Sequence, residues 1–398
     1  MLREELVHII QAQQEYYMTN NEYTSRDLQT RIDWTTSNAT IISGVRRCGK
    51  STLMRQGIID SNLKAGYLHF DDPRLNDFKV FDFYILEEIW KDKDILQFDE
   101  IHRVHGWESY VRQATERKRK IAITGSNAHL MSSELGTLLT GRHLTYELFP
   151  FSYHEYLNFL GKTAGTESWL EYLHKGGFPD AIKHNEVQYH VDLLNDILQK
   201  DIVVRRGIRN YHDLFTIALH MLNNIARPFT STRLSKNYKI KSVKTVTDYI
   251  GFLEDVYLIF VVPRYSASFK QQVNNQKKIY AIDHAFARNN STQFQDDLGR
   301  QLENMVFIEL RNRTKEIFYY QEKNECDFVI MERGKGYSCY QVSLNINQQN
   351  KDREINGLIS ALHNFDLSEG TIITLDQEDK IIEENKTIHL IPFWKWAG

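Results

Sequence analysis

The sequence predicts an α/β protein built on a parallel sheet, and three stretches carry that reading. The first is Ile41-Ile42-Ser43-Gly44-Val45-Arg46-Arg47-Cys48-Gly49-Lys50-Ser51-Thr52, an apolar strand, a Gly-x-x-x-x-Gly-Lys-Ser turn and the start of a helical run. The second, Lys93-Asp94-Ile95-Leu96-Gln97-Phe98-Asp99-Glu100, is a strand that ends in two acids. The third, Lys120-Ile121-Ala122-Ile123-Thr124-Gly125-Ser126-Asn127, is an apolar strand that ends in small polar residues. Strands at 40–43, 65–70, 95–98, 121–124 and 144–148 alternate with helical patterns, which demands crossovers and therefore parallel pairing.

Each stretch brings its own chemistry. Gly44 and Gly49 let backbone N–H groups close around phosphates, and the following helix points its positive end at the same anions. The expected nucleotide contacts are Gly44, Val45, Arg46, Arg47, Cys48, Gly49, Lys50, Ser51 and Thr52, with ATP and Mg2+ as cofactors. Lys50 is expected to reach the β- and γ-phosphates, and Ser51 to hold the Mg2+. Asp99 reads as a second group on the metal. Glu100 reads as the group that orients or deprotonates water. Ser126 or Asn127 is expected at the γ-phosphate or the water, because ligands sit at strand ends in open α/β sheets. Arg142 stands at a helix-to-strand turn. An arginine there completes a neighbouring subunit's site in trans, or caps a helix end. The expected catalytic set is Lys50, Glu100, Asn127 and Arg142, with Ser51 and Asp99 on the metal.

A chain of 398 residues is long enough for two or three domains. Its hydrophobic share of 41% suits a soluble globular protein. No apolar run reaches the roughly 18–20 residues of a membrane helix, and the N-terminus has no signal-peptide pattern. Cys48, Cys326 and Cys339 lack any paired spacing, which fits reduced thiols in the cytoplasm and no zinc site. Alkylation of Cys48, inside the loop, is expected to block nucleotide binding. Net charge is −3. Between residues 200 and 278, however, fourteen Lys and Arg stand against five Asp and Glu. Such asymmetry points to a polyanion-binding segment.

The expected domains are 1–151 for the sheet core, 152–205 for a helical lid, 206–270 for a winged helix-turn-helix and 271–398 for a further α/β domain. The winged-helix reading rests on helices at 213–222, 231–237 and 242–254, with wing strands at 258–262 and 264–269. Val243, Val246, Ile250 and Leu253 follow a helical period along the third helix. Lys241, Ser242, Lys244 and Thr245 are then exposed at its N-terminal end, where recognition helices meet DNA. A winged helix that docks protein is the alternative. In the last domain, Glu303 lies on a helix, Asp327 heads a strand, and Gln341-Val342-Ser343 lies on the next.

In order along the chain, these features resemble the prokaryotic AAA-type ATPases (AAA_14) that carry a C-terminal domain of unknown function, DUF4143. The resemblance rests on the P-loop, Phe98-Asp99-Glu100-Ile101-His102, Leu139-Thr140-Gly141-Arg142, Phe149-Pro150-Phe151-Ser152, Gly176-Gly177-Phe178-Pro179, Leu253-Glu254-Asp255-Val256-Tyr257-Leu258 and Gly299-Arg300-Gln301-Leu302-Glu303-Asn304. It implies an AAA core, a lid, a winged helix and a domain similar to restriction endonucleases. The nuclease pattern wants a helix acid, a strand Asp and then Glu-x-Lys. Glu303 and Asp327 match the first two, but Gln341 and Ser343 stand where the Glu and Lys are wanted. Gln is a poor Mg2+ ligand and Ser carries no charge, so the site is expected to be degenerate and not to cleave. The reading that follows is a Mg-dependent ATPase that binds and remodels or translocates DNA, branched DNA included, as a homo-oligomeric ring, a hexamer being one option. The alternative is a slow ATP-hydrolysing signalling switch whose later domains recruit a protein partner.

Overall fold

The computed structural model describes residues 1–19, 23–126, 139, 141–184, 186–291 and 297–398. It divides into two units, Met1–Leu148 and Phe149–Gly398.

The first unit is built on β1 (Ala39–Ser43), β2 (Ala65–His69), β3 (Ile95–Asp99), β4 (Lys120–Gly125) and β5 (His143–Glu147), in the order β2-β3-β4-β1-β5. All four pairings are parallel. β1 and β3 are buried at every position, as strands of a parallel sheet are when helices cover both faces. Leu68, Leu96, Phe98, Ile121 and Ile123 share one core with Phe83, Trp90 and Tyr110 from the crossovers. The N-terminal helix Arg3–Thr19 joins it through Leu6, Ile9 and Ile10. Tyr17 pins the far end of that helix. Its ring stacks on Tyr67 with centroids 3.9 Å apart, and its hydroxyl donates to Gln97 Oε1 at 2.7 Å.

The second unit begins with helices Tyr153–Leu160, Thr166–Lys175, Pro179–His184 and Val187–Asp196. Helix Tyr211–Asn223 follows, then β6 (Pro228–Phe229), helices Ser231–Asn237 and Val243–Asp255, β7 (Ile259–Pro263), helix Phe269–Asn274 and β8 (Lys277–Ala281). The three strands form an antiparallel sheet in the order β6-β8-β7. The partner of β7 is thus β8, not the expected strand at 264–269. Arg264 and Tyr265 turn instead to another sheet, where the Tyr265 N–H donates to the Tyr319 carbonyl at 2.8 Å. The run Ile279-Tyr280-Ala281 buries completely against β7, and the Ser-rich 264–269 stretch offers no such face.

The remaining sheet has six strands: β9 (Ile317–Gln321), β10 (Glu325–Glu332), β11 (Gly336–Val342), β12 (Glu369–Thr374), β13 (Asp379–Glu383) and β14 (Lys386–Pro392). Their order is β13-β14-β12-β11-β10-β9. Helices Leu298–Arg313 and Lys351–Asn364 pack on it. The closing helix Phe393–Ala397 buries Phe393 and brings Trp396 to Tyr340 at 5.9 Å between rings. No helix among the described residues is long and apolar enough to cross a membrane.

Candidate functional site

The loop Gly44–Gly49 leaves the end of β1 and feeds the helix Lys50–Asp60. Gly49 has φ 99°, a left-handed conformation that glycine adopts without strain. At Gly44 the constraint is space. A Cβ there would lie 2.0 Å from the Leu148 carbonyl oxygen just past β5. Lys50 is buried, and its ammonium donates to the Gly44 and Val45 carbonyls at 3.1 and 3.0 Å. Arg26 braces the loop from outside the motif, donating from Nη1 to the Cys48 carbonyl at 2.8 Å. The Cys48 thiol is fully buried, and burial pushes its pKa up. A thiol of that kind is poorly reactive, so the expected alkylation of Cys48 is disfavoured while the loop is folded.

β3 ends beside the loop, and the pKa values of the two acids there are pushed in opposite directions. Asp99 is 1% exposed. Burial alone would raise its pKa, but the His69 imidazole 3.3 Å away and hydrogen bonds from Ser51 and Thr124 favour the carboxylate, so it falls to about 2. Tyr67 also donates to it, at 3.1 Å. Glu100 shows the reverse. Burial raises its pKa, the charges of Asp99 and Asp71 add to the rise, and Lys50 only partly opposes them. Glu100 is also a non-glycine residue at φ 55°, where backbone strain is stored and overcome by its surroundings. Thr124 of β4 supplies part of that hold. Its Oγ1 donates to Asp99 Oδ1 and accepts the Glu100 N–H at 3.2 Å. The Glu100 carboxylate lies 3.3 Å from His102 Nδ1.

Lys50, Ser51, Asp99 and Glu100 therefore meet at one end of the sheet, as the sequence pattern expects. Asn127 lies outside the described residues. Arg142 is not with them. It precedes β5, whose first residue His143 pairs with Ala39, whereas the loop follows Ser43 at the other end of β1. Its guanidinium is half exposed and pairs with Glu116 at 2.8 Å. Thr124, His69, Tyr67, His102 and Arg26 escaped the sequence reading. Thr124 sits two residues before Ser126, inside a stretch already singled out. His102 closes the Phe98–His102 stretch that carried the resemblance, though no role was read for it, and Tyr67, His69 and Arg26 carry no motif.

In the second unit Lys241, Ser242 and Lys244 are exposed and Thr245 is half-buried, at the start of helix Val243–Asp255. Val246, Ile250 and Leu253 are buried, but Val243 is 41% exposed and faces out with the polar residues. Glu303, Asp327 and Gln341 do converge. Gln341 Oε1 accepts the Asp327 N–H at 3.1 Å, while its amide donates to Glu354 Oε2 at 2.6 Å. Ser343 turns away, donating to the Asn345 carbonyl at 2.9 Å. The sequence reading missed Lys278 of β8, whose ammonium lies 3.2 Å from Glu303, 2.8 Å from Glu325 and 3.2 Å from Asp327. Burial and the Asp327 charge raise the Glu303 pKa to about 7, against the pull of Lys278 and Tyr280.

A parallel β2-β3-β4-β1-β5 sheet with a Gly-x-x-x-x-Gly-Lys-Ser turn leaving β1 is the P-loop fold of AAA-type ATPases. An AAA domain family model (AAA_14) matches residues 36–157, and a model for a domain of unknown function (DUF8612) matches 166–297. An uncharacterized protein of Methanocaldococcus jannaschii, MJ1544, is 31% identical over 94% of this chain and 90% of its own length. The chain belongs to the same family as that archaeal protein. An uncharacterized protein of Haemophilus influenzae is 29% identical over 73% of this chain and 78% of its own. Among solved structures, the Thermotoga maritima RuvB Holliday junction branch migration motor matches 66% of this chain and 88% of its own at 16% identity, with a TM-score of 0.31.

Proposed function

We propose that the protein is a Mg-dependent ATP hydrolase that binds and remodels or translocates DNA as an oligomeric ring. One arrangement carries the hydrolase: a P-loop lysine beside two neighbouring acids bridged by Thr124, whose surroundings push the Asp99 pKa down and the Glu100 pKa up. Such divergence marks a division between a group kept ionised and a group that exchanges a proton. An ionised Asp99 hydrogen-bonded to Ser51 is an oxygen donor set suited to Mg2+. Bound there, Mg2+ would neutralise charge on the β- and γ-phosphates. Lys50, released from the loop carbonyls, would take up the phosphates. Glu100 would accept the proton of the attacking water, with Thr124 fixing its backbone beside Asp99. Ser126 or Asn127 is proposed to touch the γ-phosphate or the water, and Arg142 to complete a neighbouring subunit's site.

DNA binding rests on the second unit. A helix–strand–helix–helix order followed by β7 and β8 supports the winged-helix and DUF4143-like reading. Lys241 and Lys244 stand exposed at the start of its third helix. The test is steady-state ATP hydrolysis at fixed salt, alone and with duplex, single-stranded or four-way-junction DNA. Lys50→Ala should abolish turnover, and unchanged turnover would sink the P-loop assignment. Stimulation by one DNA form is the expected result. Hydrolysis indifferent to every DNA would favour the nucleotide switch with a protein partner.

A further inference from the structure

Lys278 sits on the central strand of the three-stranded sheet, with its backbone paired to Val262 on one side and Pro228 on the other. Its side chain leaves that sheet and enters the acid centre of the six-stranded one, where only 3% of it is exposed. Three carboxylate oxygens lie 2.8 to 3.2 Å from its ammonium. Tyr280, two residues on and so on the same face of the strand, donates to Glu303 Oε1 at 2.7 Å. The ring of Tyr319 lies 5.6 Å from the ammonium. A buried cation surrounded by anions is the arrangement that burial of charge demands.

A nuclease-like fold implies a divalent metal held by the helix acid and the strand acids. The residues present do not fit one. The position the acids share is taken by a tethered ammonium. Gln341 spends its oxygen on the Asp327 N–H and its amide on Glu354. The second oxygen of Asp327 accepts the Val342 N–H at 3.0 Å. Among the described residues no group of three or more His, Cys, Asp or Glu is placed to hold a metal ion.

We propose that the Lys278 ammonium takes the place of the metal in this acid centre, closing it to divalent cations and locking the three-stranded sheet onto the six-stranded one. This deepens the reading of the second unit as a nuclease-like body that does not cut, and it is independent of the ATPase assignment. An ammonium can hold the carboxylates together as a cation does, but it cannot polarise a phosphate or activate water as a Lewis acid. The centre therefore acts as a joint between the proposed DNA-contacting elements and the sheet behind them.

The test is Mn2+ binding to the nucleotide-free full chain, followed by electron paramagnetic resonance. The wild type and Asp327→Asn should bind Mn2+ identically. Lys278→Ala should gain one site at least roughly tenfold tighter than any in the wild type, the scale on which a bound ion's neighbours set affinity. Adding Asp327→Asn should remove that gain. Wild-type binding that Asp327→Asn weakens would overturn the proposal without any Lys278 variant. So would a folded Lys278→Ala that gains no site. Should Lys278→Ala fail to fold, Lys278→Met keeps the buried chain while discarding the charge, and it should gain the same Asp327-dependent site.

Discussion

Thr124 is the residue on which the proposed hydrolytic site turns. One hydroxyl serves both acids, donating to the Asp99 carboxylate and accepting the backbone N–H that holds Glu100 at positive φ. Thr124→Val keeps the shape and removes both bonds. The expected result is a fall in kcat for ATP hydrolysis of roughly tenfold or more with near-normal nucleotide affinity, because the loss falls on orientation rather than on the phosphate loop. Stability should drop by about 1–3 kcal/mol, the usual cost of stranding a buried partner. Turnover unchanged alongside a lower melting temperature would reduce Thr124 to a purely structural role. Gly44 makes a complementary case. The motif explains its freedom to bind phosphate, but the structure adds the Leu148 carbonyl 2.0 Å from where a Cβ would sit. Gly44→Ala should therefore destabilise the unit even without nucleotide, as a lowered melting temperature of the free protein would show.

At the scale of elements, helix Val243–Asp255 has two ends with separate consequences. Its N-terminal end carries Lys241 and Lys244. Lys241→Glu with Lys244→Glu should weaken DNA binding and reduce the slope of log affinity against log salt by about 2, one unit per lost phosphate contact; an unaltered slope would place the contact elsewhere. Near its C-terminal end, Glu254 accepts the Val261 N–H of β7 at 3.2 Å, and burial lifts its pKa to about 7. A carboxyl raised in the folded state lends stability that is complete below its unfolded value near 4.5 and is lost as pH rises through about 7. Glu254→Gln should remove that loss. Relative to wild type it should be more stable at pH 8 than at pH 5 by about 1–2 kcal/mol, after discounting for part exposure. Parallel denaturant titrations at the two pH values would reveal a pH-independent difference if Glu254 does not titrate there.

The elements also show where sequence stops being legible. β1, β3 and β4 are mostly apolar, buried runs ending in functional residues, so composition and motif locate them together. β13 is a mostly exposed five-residue run, two Ile flanked by Asp, Lys and Glu, and its pairing with β14 makes it a strand. So short and exposed a run does not reveal that pairing. Lys278 was hidden too. In sequence it is one of fourteen basic residues, which suggests surface. Its partners are Glu303, Glu325 and Asp327, and only the fold brings them to it. The segment's basic excess is smaller at the surface than the count implies, since Lys278 is buried and Lys200 pairs with Asp196, outside the segment, at 2.9 Å.

At the scale of the whole molecule, the position of Arg142 bears on assembly. The phosphate loop follows the last residue of β1, and Arg142 precedes the residue paired with the first. Four strand steps of about 3.3 Å separate those ends, roughly 13 Å of sheet. Arg142 therefore has no short route to its own subunit's phosphates, and its half-exposed side chain rests on Glu116 at the surface. An exposed pair of this kind contributes little to stability, so Arg142 is free to serve a neighbour at small cost. Arg142→Ala should lower kcat by on the order of 10³, the effect of a removed arginine finger, with almost no change in melting temperature. ATPase activity per subunit should rise with protein concentration, because under the proposed trans assignment of Arg142 a site is complete only where two chains meet. Mixing Arg142→Ala with Lys50→Ala decides the matter. Each is inactive alone, yet in a head-to-tail ring an intact loop of the first can face an intact Arg142 of the second. With equal amounts assembled at random, roughly a quarter of interfaces are of that kind, and turnover should recover to about that fraction of wild type. Subunit exchange shown by mass measurement, with no recovery of turnover, would remove Arg142 from the site.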